Sequence, residues 1–236
     1  MQALILVGGK GTRLEPYTAV LPKSLMPLGE YPILEIVLRQ LQSAGTSDVI
    51  LAVGHLSHLF EAFFEDGKRF GMRISYSFED EPLGTAGPIA NALDRLEEDF
   101  LVINGDLLTT ISYAKIFETH RENGAAATIG IFDREEKIDF GVIETDAEGK
   151  LEKYTEKPTY QFSVSMGVNV LNKAAVATFL KPGEYMDLPD LLLKLKDSGE
   201  TVQCFREPCE WLDIGRMEDY KRAIELFESD RSTFMP

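Results

Sequence analysis

Four short apolar runs, at 3–7, 48–53, 73–77 and 100–104, alternate with helical patterns at 33–44, 58–64 and 88–96. Strands separated by helices of this length imply βαβ units with right-handed crossovers, and so a mostly parallel sheet covered by helices. Gly45 stands where the first helix should end. Beyond about residue 110 the pattern changes. Strand-like runs follow at 128–132, 142–145, 151–155, 164–171 and 201–205, with a turn at Glu148-Gly149, and helical patterns return at 190–198 and 218–228. No repeat, low-complexity run or linker divides the chain. The expected architecture is α/β: a Rossmann-like three-layer sandwich with a mixed, mostly parallel sheet, built as one domain over 1–236 from halves of about 1–110 and 111–236.

At 236 residues the chain can bury a sizeable core. Its net charge of −15 argues against a non-specific nucleic-acid or anionic-membrane surface, which needs a basic field. An anionic ligand must therefore be met by cations gathered locally. No run approaches the roughly 20 apolar residues of a membrane span. Met1 leads straight into the first apolar run, which leaves no room for a signal peptide, so a cytoplasmic location is expected. Cys204 and Cys209 lack a Cys-x-x-Cys spacing or a neighbouring His and read as isolated thiols. His55 and His58 are spaced to share a helix face, but no third metal ligand accompanies them.

In open α/β sheets, ligands bind beyond the carboxyl ends of the strands. The first such end is Gly8-Gly9-Lys10-Gly11-Thr12-Arg13-Leu14, continuing to Pro22-Lys23. It lacks the P-loop spacing, and it lacks the third glycine of a dinucleotide fingerprint, where Leu14 stands instead. Its glycines can bring backbone N–H groups close to an anion. Arg13 offers planar donors suited to phosphate oxygens, and Lys23 adds a point charge. On its own the loop also suits an ordinary β-to-α turn. The third end is Glu79-Asp80-Glu81-Pro82-Leu83-Gly84-Thr85-Ala86-Gly87, and the fourth is Asn104-Gly105-Asp106.

Asp106 follows an apolar strand, and Asp213 follows the sole tryptophan in Trp211-Leu212-Asp213-Ile214-Gly215. Two such carboxylates can hold Mg²⁺, which takes oxygen ligands and bridges carboxylate to substrate phosphates. Each alone equally suits a turn or a cap, and only the fold can bring the two together. Glu156-Lys157-Pro158 ends another strand-like run and by itself reads as a charged turn.

Taken in order, these blocks and Phe140-Gly141-Val142 resemble the sugar-1-phosphate nucleotidylyltransferases, the nucleotide-sugar pyrophosphorylases, along nearly the whole chain. Glu81-Pro82-Leu83-Gly84-Thr85-Ala86-Gly87 resembles most the branch holding mannose-1-phosphate and heptose-1-phosphate guanylyltransferases. The resemblance implies the nucleotide-diphospho-sugar transferase fold, use of Mg²⁺, and synthesis of an NDP-sugar with release of pyrophosphate. It implies a nucleotide-binding first half and a sugar-phosphate-binding second half, with no C-terminal β-helix domain of the kind many relatives carry.

It also implies roles. Arg13 would contact the leaving pyrophosphate and Lys23 the phosphate at the reacting centre. Leu6, Gly8, Gly9, Gly11, Thr12, Arg13, Glu79, Glu81, Gly84 and Thr85 would bind the nucleotide. Asp106 and Asp213 would hold the metal. Lys157 would bind the sugar phosphate and Glu156 the sugar hydroxyls, with Asn104, Gly141, Ser165 and Gly167 completing the sugar side. Ser165 stands where the family often has Asn. The implied partners are small molecules, an NTP and a sugar 1-phosphate, with a homo-oligomer left open.

The residue types suit this chemistry. A sugar 1-phosphate has a second pKa near 6, by analogy with other phosphate monoesters, so its oxygen is already a nucleophile and no general base is required. What remains is to hold two polyanions in line and to neutralise the charge of the leaving group. Guanine presents adjacent N1–H and N2–H donors that a carboxylate accepts in pairs, which favours GTP, read by Glu79 or Glu81. Uridylyl, thymidylyl and cytidylyl transfer are the alternatives within the family. A non-catalytic sensor of nucleotide sugars is the alternative outside catalysis, although Arg13, Lys23, Asp106 and Asp213 are all present.

Overall fold

The computed structural model describes residues 1–235. In chain order its strands are β1 (Gln2–Leu6), β2 (Pro27–Leu28), β3 (Tyr31–Pro32), β4 (Asp48–Val53), β5 (Arg73–Phe78), β6 (Asp99–Asn104), β7 (Leu107–Thr109), β8 (Ala127–Lys137), β9 (Val142–Thr145), β10 (Leu151–Thr155), β11 (Thr159–Asn172), β12 (Val202–Phe205) and β13 (Trp211–Asp213). The α-helices are α1 (Ile33–Ser43), α2 (Ser57–Phe64), α3 (Gly87–Ala92), α4 (Tyr113–Asn123), α5 (Lys173–Ala177), α6 (Leu188–Asp197), α7 (Met217–Ser229) and α8 (Arg231–Phe234).

Seven strands form the central sheet in the order β12-β8-β11-β6-β1-β4-β5. All pairings are parallel except the two made by β11, which runs antiparallel to β6 and β8. Strand β1 is central, so Ala3, Leu4 and Ile5 are all buried and neither face is polar. Alternate residues feed opposite layers. Ala3 and Ile5 pack with Leu34, Val37, Phe60, Phe64 and Ile116 from α1, α2 and α4. Leu4 packs with Ile89, Val176, Leu191 and Leu195 from α3, α5 and α6. This is the α/β sandwich that the alternating pattern indicates. A third cluster joins Leu14, Met26 and Leu28 to Leu108, Leu212, Ile214 and Phe227, and it fixes the glycine loop against β7, β13 and α7. No helix among the described residues is long and apolar enough to cross a membrane.

The structure departs from the sequence pattern in several places, and the short elements β2, β3, β7, β13, α5 and α8 are all additional to it. Helix α4 is absent from the pattern because its exposed faces are charged and only Tyr113, Ile116, Phe117 and His120 are buried. Its ends are nonetheless marked, by a Ser112 cap that accepts the Lys115 N–H at 3.3 Å and by Gly124 in the left-handed conformation. Helix α3 ends at Ala92, and Leu93–Arg95 continues as a tighter turn. Strands β8 and β11 outrun their apolar segments because their distal ends pair with each other as an exposed ribbon, which has no buried face to write an apolar pattern. His55 lies ahead of α2 rather than within it, so it shares no helix face with His58.

Candidate active site

The glycine loop leaves β1 across the centre of the sheet. Val7 donates its N–H to Ala52 at 3.0 Å, and Gly105 donates to Leu6 at 3.0 Å, so the ends of β1, β4 and β6 are held together. A Cβ at Gly8 would stand 2.6 Å from Glu79 Oε1, so the Glu79 carboxylate lies directly against the loop. Gly11, at φ +64°, starts the short turn Thr12–Leu14, and its carbonyl accepts the Thr18 hydroxyl at 2.9 Å. Leu14 is buried in the third cluster, which anchors the turn and leaves Thr12 and Arg13 exposed beside it. Lys23 opens a second short turn, whose Ser24 and Leu25 are buried.

Asp106 and Asp213 come from separate halves of the chain and are joined by the pairing of β7 with β13, in which Leu107 stands opposite Asp213. The Ile214 N–H also donates to the Asp106 carbonyl at 3.2 Å. Trp211 seats this strand: its indole N–H donates to the Met166 carbonyl at 2.9 Å and its ring lies 5.4 Å from that of Phe132. The Lys23 ammonium pairs with Asp106 and lies 3.7 Å from Asp213. The Arg13 guanidinium borders the same group, since a Cβ at Gly215 would stand 3.6 Å from its Nη1. Burial, then the Asp106 carboxylate, push the Asp213 pKa up, while Lys23 and Arg13 pull it down. Among the described residues no group of three His, Cys, Asp or Glu side chains could hold a metal. Two carboxylate oxygen donors do fit a hard divalent cation that completes its shell with substrate oxygens and water.

Beside this group opens a cleft of about 630 Å³, bounded by Gly8 and Gly9 on one side and by residues 79–85 on the other, with Leu6, Asn104 and Asp106 in its wall. Glu79 and Glu81 both line it. One oxygen of Glu79 accepts the Leu83 N–H at 3.1 Å, and burial pushes the Glu79 pKa up despite that bond. Gly84, at φ +77°, turns the loop under the segment that precedes α6. There Met186 accepts the Ala86 N–H at 2.9 Å and donates to the Leu83 carbonyl at 3.0 Å. The Thr85 hydroxyl accepts the Leu188 N–H at 2.7 Å.

On the other flank of Asp106, Gly167 breaks the register of β11 at φ +73° and faces Asn104 so closely that a Cβ would stand 2.5 Å from its Nδ2. Gly141 lies against Tyr154 and Glu156, and the Tyr154 hydroxyl donates to Glu156 Oε2 at 3.1 Å. Lys157, at φ +45°, and Ser165 are exposed. The structure thus unites Arg13, Lys23, Asp106 and Asp213, joins Gly8 to Glu79 and Asn104 to Gly167, and gathers Gly141 with Glu156. Of the expected site residues, Leu6, Gly8, Gly9, Glu79, Glu81, Gly84, Thr85, Asn104 and Asp106 line the cleft, whereas Gly11, Thr12, Arg13, Lys23, Gly141, Glu156, Lys157, Ser165, Gly167 and Asp213 do not.

The cleft also contains Lys10, Gly54, His55 and Tyr185. Gly54 and His55 follow β4, so the strand-end rule identifies them; only the second of the four strand ends lacks an evident loop signature. Tyr185 carries no local signal, because only the docking of the 183–188 segment brings it there.

A family model described as nucleotidyl transferase matches residues 2–230. The chain is 34% identical over 242 residues to a UTP–glucose-1-phosphate uridylyltransferase of Synechocystis sp., an alignment covering 95% of this chain and 62% of that protein. It is 33% identical over 246 residues to a mannose-1-phosphate guanyltransferase of Yarrowia lipolytica, covering 100% of this chain and 66% of that one. The chain therefore spans less than two thirds of the length of these two relatives. Among solved structures, HddC from Yersinia pseudotuberculosis superposes with a TM-score of 0.74 at 25% identity, covering 96% of this chain and 99% of that chain.

Proposed function

Since this chain belongs to the nucleotidyl transferase family, we propose that it transfers a nucleotidyl group from an NTP, GTP by preference, to a sugar 1-phosphate of the mannose or heptose type. The observation that carries this reading is the Lys23 ammonium close to both Asp106 and Asp213, with Asp106 itself in the wall of a cleft that the glycine loop bounds. The anomeric phosphate oxygen attacks the α-phosphorus, the bond from that phosphorus to the bridging oxygen breaks, and pyrophosphate leaves with the electron pair. No proton has to be removed from a dianionic nucleophile. In this reading Lys23 meets charge at the reacting phosphorus and Arg13 meets it on the departing pyrophosphate. Mg²⁺ held by Asp106 and Asp213 would neutralise charge on the triphosphate when bound. Lys157 takes the sugar phosphate, and Glu156 with the backbone at Gly141 and Gly167 takes the sugar.

For the base, the free oxygen of Glu79, beside Gly8, together with Glu81, offers acceptors to the adjacent donors of guanine. The guanyltransferase of Yarrowia lipolytica supports GTP, and the uridylyltransferase of Synechocystis sp. supports UTP. Pyrophosphate release with GTP, UTP, dTTP, CTP and ATP, each crossed with a set of sugar 1-phosphates, tests both levels. Preference for UTP or dTTP removes the carboxylate argument, and silence across the panel removes nucleotidyl transfer.

A further inference from the structure

The 183–188 segment is bound to the nucleotide side of the cleft by more than backbone pairing. Asp187 Oδ1 lies within reach of both the Thr85 N–H, at 3.3 Å, and the Thr85 hydroxyl, at 3.4 Å. Its other oxygen accepts the Tyr185 hydroxyl at 2.8 Å. One carboxylate thus ties the Tyr185 ring to the loop that holds Gly84 and Thr85. Tyr185 is still 63% exposed, and it borders the cleft shared with Gly8, Glu79 and Leu83. Among the described residues that line the cleft it is the sole Phe, Tyr or Trp.

An exposed aromatic ring fixed at its hydroxyl end is a platform for another planar ring, and stacking on it tolerates any base while favouring the larger purines. We propose that Tyr185 stacks on the nucleobase and sets the affinity of the cleft for nucleotides, with purines favoured over pyrimidines. This rests on the reading of the cleft as the nucleotide site. Glu79 then selects by hydrogen bonding and Tyr185 by area, so the two act separately. Asp187 is a positioning residue, which keeps the ring from rotating into solvent. The hydrogen bond to Asp187, and then its charge, also hold the Tyr185 phenol above the ordinary tyrosine value.

Titration calorimetry with GDP and with UDP, on the wild type and on Tyr185→Phe, Tyr185→Leu and Tyr185→Ala, tests the proposal. Tyr185→Ala and Tyr185→Leu should weaken GDP binding by roughly tenfold or more, and UDP binding by less. Tyr185→Phe keeps the ring and should recover most of the GDP affinity. In turnover assays the loss should appear in KM for the nucleotide, with kcat little changed. Wild-type binding that survives in Tyr185→Ala overturns the stacking role alone, as does a Phe variant as weak as the Ala variant. A wild type that binds neither nucleotide overturns the nucleotide reading of the cleft and this proposal with it. Unchanged thermal midpoints across the variants, expected for so exposed a side chain, separate binding loss from unfolding.

Discussion

Asp213 is partly buried beside Asp106: burial first, and the Asp106 carboxylate second, raise the Asp213 pKa above the ordinary aspartate value, and Lys23 with Arg13 only offset them. The charged pair is therefore kept at a cost in stability, for which the proposed metal and phosphates give a reason. Asp213→Asn removes the repulsion without removing the shape. Its thermal midpoint at pH 7 should equal or exceed that of the wild type, while Mn²⁺ binding, followed by electron paramagnetic resonance, and turnover should both be lost. A clearly lowered midpoint contradicts this account.

Arg13 is exposed and, among the described residues, makes no ion pair within 4.0 Å, so its removal leaves no packing defect. Arg13→Ala should lower kcat by about 10²-fold, the scale of losing one preorganised charge stabiliser. In the reverse direction the same variant should raise KM for pyrophosphate. An unaltered pyrophosphate KM excludes contact with the leaving group.

Lys157 stands exposed beside Glu156, at the end of the β9–β10 hairpin. Lys157→Ala should raise KM for the sugar 1-phosphate by roughly 10- to 100-fold, the scale of one hydrogen bond to a charged group, with KM for the nucleotide unchanged. Equal losses for both substrates point to a general structural defect instead.

Glu79 links stability and recognition with opposite signs. Burial raises its folded pKa above the ordinary glutamate value. A raised folded value means that its contribution to stability is fully present below the unfolded pKa and is lost as pH rises through the folded one. Glu79→Gln keeps an acceptor for Leu83 N–H and does not ionise, so its midpoint should exceed that of the wild type at pH 7, with the gap closing on acidification. GTP affinity should fall in the same variant, and the preference for GTP over UTP should shrink. A gap that widens in acid reverses the assigned sign.

Gly84 and Gly149 both lie at positive φ, +77° and +83°, but only Gly84 is crowded. A Cβ at Gly84 would stand 2.5 Å from the Met186 carbonyl oxygen, whereas one at Gly149 meets open space. Gly149→Ala should cost only the left-handed strain, about 1–2 kcal/mol. Gly84→Ala adds a backbone collision and should lower the thermal midpoint by several degrees more and weaken nucleotide binding. Equal midpoints for the two variants rule out tight docking of the 183–188 segment.

What the sequence revealed and what it hid follow from one distinction. The ends of β1, β5 and β6 are legible because each is a local stretch, an apolar run followed by glycine or charge. The glycine loop is legible as a candidate anion site for the same reason. The meeting of Asp106 with Asp213 is not, because it depends on β13 pairing with β7 across a large separation in sequence. Tyr185 is hidden still more thoroughly, since backbone hydrogen bonds of Met186 and the carboxylate of Asp187 bring it to the cleft, and neither leaves a periodic trace. The β8–β11 ribbon escapes because exposed strands need no apolar face, and α4 escapes because its buried stripe is four residues wide in a charged helix.

The pairing of β7 with β13 also orders events during synthesis. The glycine loop, Asp106 and the whole β1–β4–β5–β6 core emerge from the ribosome well before Trp211. Until β13 arrives, Lys23 has Asp106 alone as its partner, and the third cluster lacks Leu212, Ile214 and Phe227. A nascent chain can thus carry the glycine loop, Asp106 and β7 and still lack the two-carboxylate group. The group is completed only when β13 pairs with β7, close to the end of the chain and against a loop that stands at its start.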